Sequence, residues 1–181
     1  MIAIRFFPHS TTTDNEVGIS TGSVEVELSE LGKKQALVLK DAVRNEQFDA
    51  VFSSDLRRAR ETAEVAFGDR YLIVVDARLR EINIGDMTRM RDAETGRMMY
   101  EHIDIPFPNG ESLKDVEERV TNFLRDILPA YDGKRIAMVA HQAPQLALEV
   151  VTKGISWEEA LRSDWRNTGS FHYGWDYQFN G

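Results

Sequence analysis

Four side chains at widely separated points of this chain have the chemistry to handle a phosphate group. His9 and His141 each close a short apolar run, Arg58 stands near the start of a helix-like segment, and Glu81 follows a third apolar run. A neutral imidazole is a nucleophile. A guanidinium presents a planar fork that matches two phosphate oxygens, and a carboxyl group can pass a proton to a leaving oxygen. A single histidine at a strand end is more often structural. Two of them, joined by a cation and an acid, form a candidate set for phosphoryl transfer.

The chain that must bring these groups together alternates strand-like and helix-like segments, the pattern of an α/β fold with a mostly parallel central sheet. Ile2 to Phe7 reads as a buried strand that breaks at Pro8. It delivers His9, Ser10, Thr11 and Thr12 onto the loop at its C-terminal end, the edge where open α/β sheets bind ligands. Ser29 is expected to cap a helix running to about Gln47, with Ala36, Leu39 and Val43 on one face. Phe48 to Ser54 reads as a second strand, after which Asp55 is expected to cap a helix carrying Arg57, Arg58 and Arg60. Cations in a first helical turn oppose the dipole, and a bound anion would reverse that balance. Arg57 and Arg60 are read as solvated, Arg60 paired with Glu64; Arg58 is reserved for the anion.

Leu72 to Val75 reads as a third strand. From Gly85 to Pro108 the pattern dissolves, and Met87, Met90, Met98 and Met99 fall in this stretch. Ser112 to Asp115 is a capping box, followed by a helix whose apolar face is Val116, Val120, Phe123, Leu124, Ile127 and Leu128. Ile136 to Ala140 suits a strand covered on both faces and ends in His141. Gln142 to Lys153 then reads as a helix with Pro144 in its first turn. Trp157 to Leu161 is a short helix, and Phe171 to Tyr177 a final strand.

The 181 residues are expected to form one domain, 1–181, with no repeat or linker. A net charge of −8 argues against a nucleic-acid partner and requires any anionic substrate to be drawn in by a local positive pocket. There is no cysteine, which excludes disulfides and thiolate chemistry and suits a reducing cytoplasm. With no leader and no apolar run of spanning length, a soluble cytoplasmic protein without a membrane partner is the expectation.

In this order the motifs resemble those of the histidine phosphatase superfamily, which includes the cofactor-dependent phosphoglycerate mutases. The family's strand followed by Arg-His-Gly-x-Thr, with an asparagine six residues after the histidine, is similar to Pro8-His9-Ser10-Thr11-Thr12 and Asn15. Gly22 and Leu28 to Ala36 resemble the stretch that follows. Ser53 to Ala63 closely resembles the second motif and singles out Arg58; Leu79-Arg80-Glu81 resembles the acid motif. Pro108 to Ser112 and Val139-Ala140-His141 resemble the last two.

The resemblance implies a three-layer α/β/α sandwich of the phosphoglycerate mutase type, with no metal and no cofactor. It implies a phosphatase acting on a small-molecule phosphomonoester, with phosphate or sulfate able to occupy the site. His9 would form a phosphohistidine while Glu81 protonates the leaving oxygen, and Arg58 and a cationic His141 would hold the equatorial oxygens. Asn15, Gln142 and the backbone N–H groups from Ser10 to Thr12 would add neutral donors. Residues 86–107 would form a variable substrate cap whose methionines line an adaptable leaving-group site. Ser54 and Asn167 are second-rank contacts, and His102 and His172 are structural or exposed. A non-catalytic phosphate-binding module is the alternative, a phosphomutase a weaker one because the chain is short.

The departures are Pro8 for the motif arginine, Ser10 for its glycine, and Gln142 for the glycine after the second histidine. Arg5, Arg89, Arg91 and Arg97 are the candidates to replace the missing guanidinium.

Overall fold

The computed structural model describes residues 1–168 and 173–181. Five strands form one sheet in the order β3-β2-β4-β1-β5: β1 Ile2–Pro8, β2 Ala50–Ser53, β3 Ile73–Val75, β4 Arg135–Ala140 and β5 Trp175–Phe179. The first four run parallel, and β5 pairs antiparallel with the outer side of β1. The last strand thus begins later than expected and ends at Phe179; Phe171 and His172 lie outside the described residues. The helices are α1 Thr13–Glu16, α2 Glu30–Ala42, α3 Arg57–Phe67, α4 Asp92–Met98, α5 Leu113–Tyr131, α6 Gln142–Lys153, α7 Trp157–Ser163 and α8 Trp165–Thr168.

Because successive strand residues face opposite sides, β1 and β4 feed two cores. Ile2, Ile4, Phe6, Ile136, Met138 and Ala140 join Phe52, Val120, Phe123 and Leu124 in the cluster that includes α5 and α6. Phe7, Ala137 and Val139 join Val51, Ala59, Ala63 and Phe67 in the cluster that includes α2 and α3. Helices on both faces of a mostly parallel sheet make the expected three-layer α/β/α sandwich. Each aromatic in these cores stabilises the fold by roughly 1.5–3 kcal/mol through burial.

Several boundaries differ from the sequence expectation for identifiable reasons. Ser29 does cap α2, but the helix stops at Ala42 rather than near Gln47. There the Arg70 guanidinium takes the carbonyls of Val43, Arg44 and Glu46, which ends the ladder. Asp55 does not cap α3; Leu56 occupies that position without a side-chain bond, and the Asp55 carboxylate pairs with both ends of the Arg80 fork at 2.7 and 2.6 Å. The unpatterned stretch after Gly85 contains a 3₁₀ turn, Gly85–Met87, and α4. Among the described residues no helix is long and apolar enough to cross a membrane.

Candidate active site

The register of the two central strands assembles the site. Pro8 pairs with Ala140, and the His9 N–H extends the ladder by bonding the Ala140 carbonyl at 2.9 Å. The residue after each strand is a histidine, so the imidazoles meet with ring centroids 5.0 Å apart. Pro8 is tolerated for a specific reason. Ala3 and His9 both direct N–H groups toward β4, so by alternation the missing N–H of Pro8 falls on the β5 side. Pairing with β5 has already ended there, at Phe6 and Trp175.

His9 Nδ1 lies 2.8 Å from the Ser10 carbonyl, which fixes the proton on Nδ1 and leaves Nε2 without a partner among the described residues. Burial, then the Arg58 charge, pushes the His9 pKa down to about 3, so the ring is neutral in the free protein. His141 is fully buried, and neither ring nitrogen has a hydrogen-bond partner among the described residues. Its pKa too is driven well down, first by burial and then by the Arg58 charge. Burial and the Arg58 charge thus disfavour the cationic form in which His141 would help most. An unpaired polar group in such a place costs about 1–3 kcal/mol.

The loop after His9 is held tightly. Thr12 caps α1 in a reciprocal bond with Asn15, whose amide oxygen accepts the Thr12 N–H at 3.0 Å. Thr11 donates its N–H to Gln35 at 2.9 Å, and Ser10 to Thr62 at 3.0 Å. The three backbone N–H groups expected to serve as donors are thus already engaged. Ser10, Thr11, Thr12 and Asn15 still line the cavity, and the donors left at Asn15 are those of its amide nitrogen. α2 passes so close that a Cβ on Gly32 would lie 1.9 Å from the Thr11 carbonyl oxygen, so only glycine fits.

Arg58, in the first turn of α3, is almost fully buried and donates to the carbonyls of Val24 at 2.9 Å and Gly22 at 2.7 Å. Two of its five N–H donors are spent; three remain. The anion feeding the start of that helix is Glu25, which accepts the Arg57 N–H at 2.9 Å. Arg60 pairs on the surface with Glu64, as the sequence implied, and Arg57, half exposed, pairs with Glu61.

Glu81 sits on the N-terminus of α6. Its Oε1 accepts from Ala143 at 2.9 Å and Ile82 at 3.0 Å, and its Oε2 from Gln142 at 2.9 Å. Pro144 follows with no N–H to satisfy, so this helix end is complete. Three of the four carboxylate lone-pair sites are taken, and the fourth lies on Oε2. Gln142, expected to face substrate, also lines the cavity, and its amide nitrogen donates to Asp164 at 2.6 Å.

His9, Arg58, Glu81 and His141 line one cavity of about 990 Å³. Its wall from the unpatterned segment is α4, through Asp92, Ala93, Thr95 and Gly96, with Met99 just beyond the helix end. Of the four methionines only Met99 reaches the cavity, and Met87, Met98 and Met99 all pack against the core. Ser54 is buried beneath the site and bonds the Leu56 N–H at 3.2 Å; Asn167 lines the cavity with its amide nitrogen tied to the Leu161 carbonyl. His102 stacks on Phe107 at 3.8 Å, away from the cavity, in the structural role expected of it. None of Arg5, Arg89, Arg91 or Arg97 lines the cavity; Arg5 pairs with Asp176 at 2.5 Å and Arg89 approaches Asp14. Arg166, on α8, does line it. Sequence reasoning missed this residue, because Asp164-Trp165-Arg166-Asn167 carries no periodicity and no motif.

The pattern of the histidine phosphatase superfamily (branch 1) matches residues 4–179. The chain belongs to that superfamily. Phosphoserine phosphatase 1 of Hydrogenobacter thermophilus is 29% identical over 164 residues, 86% of this chain and 78% of that protein. A 2,3-bisphosphoglycerate-dependent phosphoglycerate mutase of Methylocella silvestris is 33% identical over 79% of this chain and 77% of its own length. Among solved structures, mycobacterial glucosyl-3-phosphoglycerate phosphatase superposes with a TM-score of 0.79 at 26% identity, covering 88% of this chain and 86% of the other. Phosphatases and mutases of one family are therefore what this chain is similar to.

Proposed function

We propose that the protein is a metal-independent phosphatase that hydrolyses a small-molecule phosphomonoester through a phosphohistidine, acting as a single domain, 1–181, in the cytoplasm. The observation that carries this reading is the imidazole pair at the sheet edge. Among the described residues one ring has an Nε2 without a partner and the other has two unpaired nitrogens, and both line a cavity shared with guanidinium groups. A phosphoryl group supplies an electrophile for the Nε2 of His9 and acceptor oxygens for one N–H of neutral His141 and for the guanidinium groups.

In the first step His9 Nε2 attacks phosphorus, and the bond from phosphorus to the leaving oxygen breaks. Glu81 gives that oxygen its proton from the open position on Oε2. The cation formed on the His9 ring keeps its Nδ1–H on the Ser10 carbonyl. In the second step water attacks phosphorus, the N–P bond breaks, and the water proton goes to Glu81. Arg58 and an N–H of neutral His141 hold the equatorial oxygens, where negative charge is spread in the transition state. The 86–107 segment acts as the substrate cap through α4.

The test is hydrolysis of p-nitrophenyl phosphate in EDTA, with acid-labile phosphoenzyme trapped in parallel. His9→Ala is expected to lose at least about 10³-fold in kcat and all trapped phosphate. Turnover that survives His9→Ala would remove the phosphohistidine route. Phosphate binding without turnover by the wild type would instead mark a binding module, and phosphate passed to a second hydroxyl in place of water would mark a mutase.

A further inference from the structure

We propose that Arg166 is a catalytic residue, contacting the transferring phosphoryl group as the second guanidinium and so replacing the arginine whose motif position is Pro8. The inference rests on the phosphatase reading above. Pro8 stands where the motif puts a cation beside the nucleophile in the chain, and none of Arg5, Arg89, Arg91 or Arg97 lines the cavity. Arg166 arrives from the other end of the chain, on α8, and lines the same cavity as His9, His141, Arg58 and Glu81. Its charge acts on both histidines.

The way Arg166 is held argues for a built site. Nη1 donates to Asp164 Oδ1 at 3.0 Å, Nη2 donates to Gln145 Oε1 at 3.1 Å, and the guanidinium carbon stands 4.4 Å from the Trp165 ring centroid. Asp164 and Gln145 are themselves buried. Asp164 also accepts the Arg166 N–H at 3.0 Å and the Gln142 amide at 2.6 Å. Gln145 Oε1 also accepts the Trp165 indole N–H at 3.1 Å, and its amide donates to Tyr177 at 3.3 Å. These contacts fix one edge of the fork and use two of its five donors. Nε–H and one hydrogen on each Nη have no partner among the described residues.

A buried carboxylate–guanidinium pair is a poor stability device, since desolvating both ions offsets their attraction. Its use lies in orientation: donors fixed in advance around developing charge need no rearrangement during reaction. Asp164 partly neutralises Arg166, so the expected contribution is below that of an unpaired arginine.

The experiment compares wild type, Arg166→Lys, Arg166→Met and the double variant Asp164→Asn/Arg166→Met. The double variant removes the orphaned buried charge that could unfold the single one, and thermal melting checks each. Activity on p-nitrophenyl phosphate and affinity for orthovanadate, a five-coordinate phosphoryl mimic, are both measured. The double variant is expected to melt near wild type, lose roughly 10²-fold in kcat, and weaken vanadate more than inorganic phosphate. Arg166→Lys is expected to fall between the two. A folded double variant within about threefold of wild type in kcat and vanadate affinity overturns the proposal while leaving the phosphatase reading intact. If the wild type shows no turnover, that reading fails and vanadate affinity alone decides: weakened in the variant, Arg166 still contacts the anion; unchanged, it does not. A wild type that binds no vanadate sinks both.

Discussion

Two arginines stand on the same cavity and are anchored by opposite kinds of partner. Arg58, on the first turn of α3, rests on the neutral carbonyls of Gly22 and Val24. Arg166, on α8, rests on a buried carboxylate and an amide. Carbonyl dipoles orient a guanidinium without a direct ion pair, and the carboxylates that act on Arg58, those of Glu81, Glu25 and Asp14, make no direct hydrogen bond to it among the described residues. Asp164 cancels part of the Arg166 field and fixes its direction more firmly. One arginine is built for charge, the other for placement. At the histidines the Arg58 charge stands ahead of the Arg166 charge among the causes lowering both pKa values.

Removing Arg58 should therefore be the most damaging change to either anchor. Arg58→Ala is expected to cost about 10²–10³-fold in kcat, by analogy with the loss of one preorganised donor. It also leaves the Gly22 and Val24 carbonyls without their donors, worth about 1–3 kcal/mol of stability for each group that stays dry. Arg58→Lys restores charge but not the two-carbonyl fork, so it should recover less than a tenth of the lost activity. Steady-state kinetics with urea midpoints checks both. Equal losses for Arg58→Ala and the Arg166 double variant would break the distinction between charge and placement.

How each anchor announces itself in sequence is instructive. Arg58 sits in a run whose hydroxyls, cations and small residues follow the family order from Ser53 to Ala63, and its burial follows from the face it shares with Thr62. His9 and His141 were legible because a strand that stops abruptly onto a histidine is a one-dimensional pattern, and parallel pairing converts two such patterns into a contact. The α/β/α layering was legible for the same reason: alternation along β1 and β4 dictates two cores. Arg166 was not legible. Its placement depends on Asp164, Gln145 and Trp165 meeting across α6 and α8, and no local periodicity encodes a meeting of side chains. The Ser10–Thr12 amides misled in the converse way. A loop beside a nucleophile invites the reading of an anion-binding nest, yet Thr62, Gln35 and Asn15 had already claimed those groups from elsewhere in the chain.

Acid titration sharpens the comparison with a smaller effect. An unfolded chain takes up protons on histidine near pH 6.5, whereas folded His9 does so only near 3. Stability should be level with respect to these groups above pH 6.5 and should fall as the pH drops from 6.5 toward 3, because the unfolded state binds more protons there. Burial is the first cause and survives either substitution, so the loss persists in both variants. It should be shallower in Arg58→Met than in the Arg166 double variant, since the Arg58 charge opposes imidazolium more strongly. Urea midpoints between pH 7 and 4.5, with constant m, measure this, and the reverse order would contradict the ranking of the two charges.

The smallest expected effect concerns Arg89, a sequence candidate for the role now given to Arg166. Its side chain is 61% exposed and stands 3.6 Å from Asp14, an arrangement worth about 0–1 kcal/mol. Its backbone is left-handed, with φ at 69°, and its N–H bonds the Ser20 carbonyl at 2.8 Å. Arg89→Ala keeps the unfavourable conformation and loses the pair. Arg89→Gly loses the same pair and relieves the conformation, so it should be about 1 kcal/mol more stable than the alanine variant. Both should retain kcat within about twofold, because the Arg89 side chain does not line the cavity and the backbone bond to Ser20, which does, is kept in both. A tenfold loss of kcat in both variants would place the missing guanidinium on Arg89, since backbone relief could not explain it. A loss in alanine alone would instead trace to the Ser20–Arg89 bridge and the loop it holds beside α4.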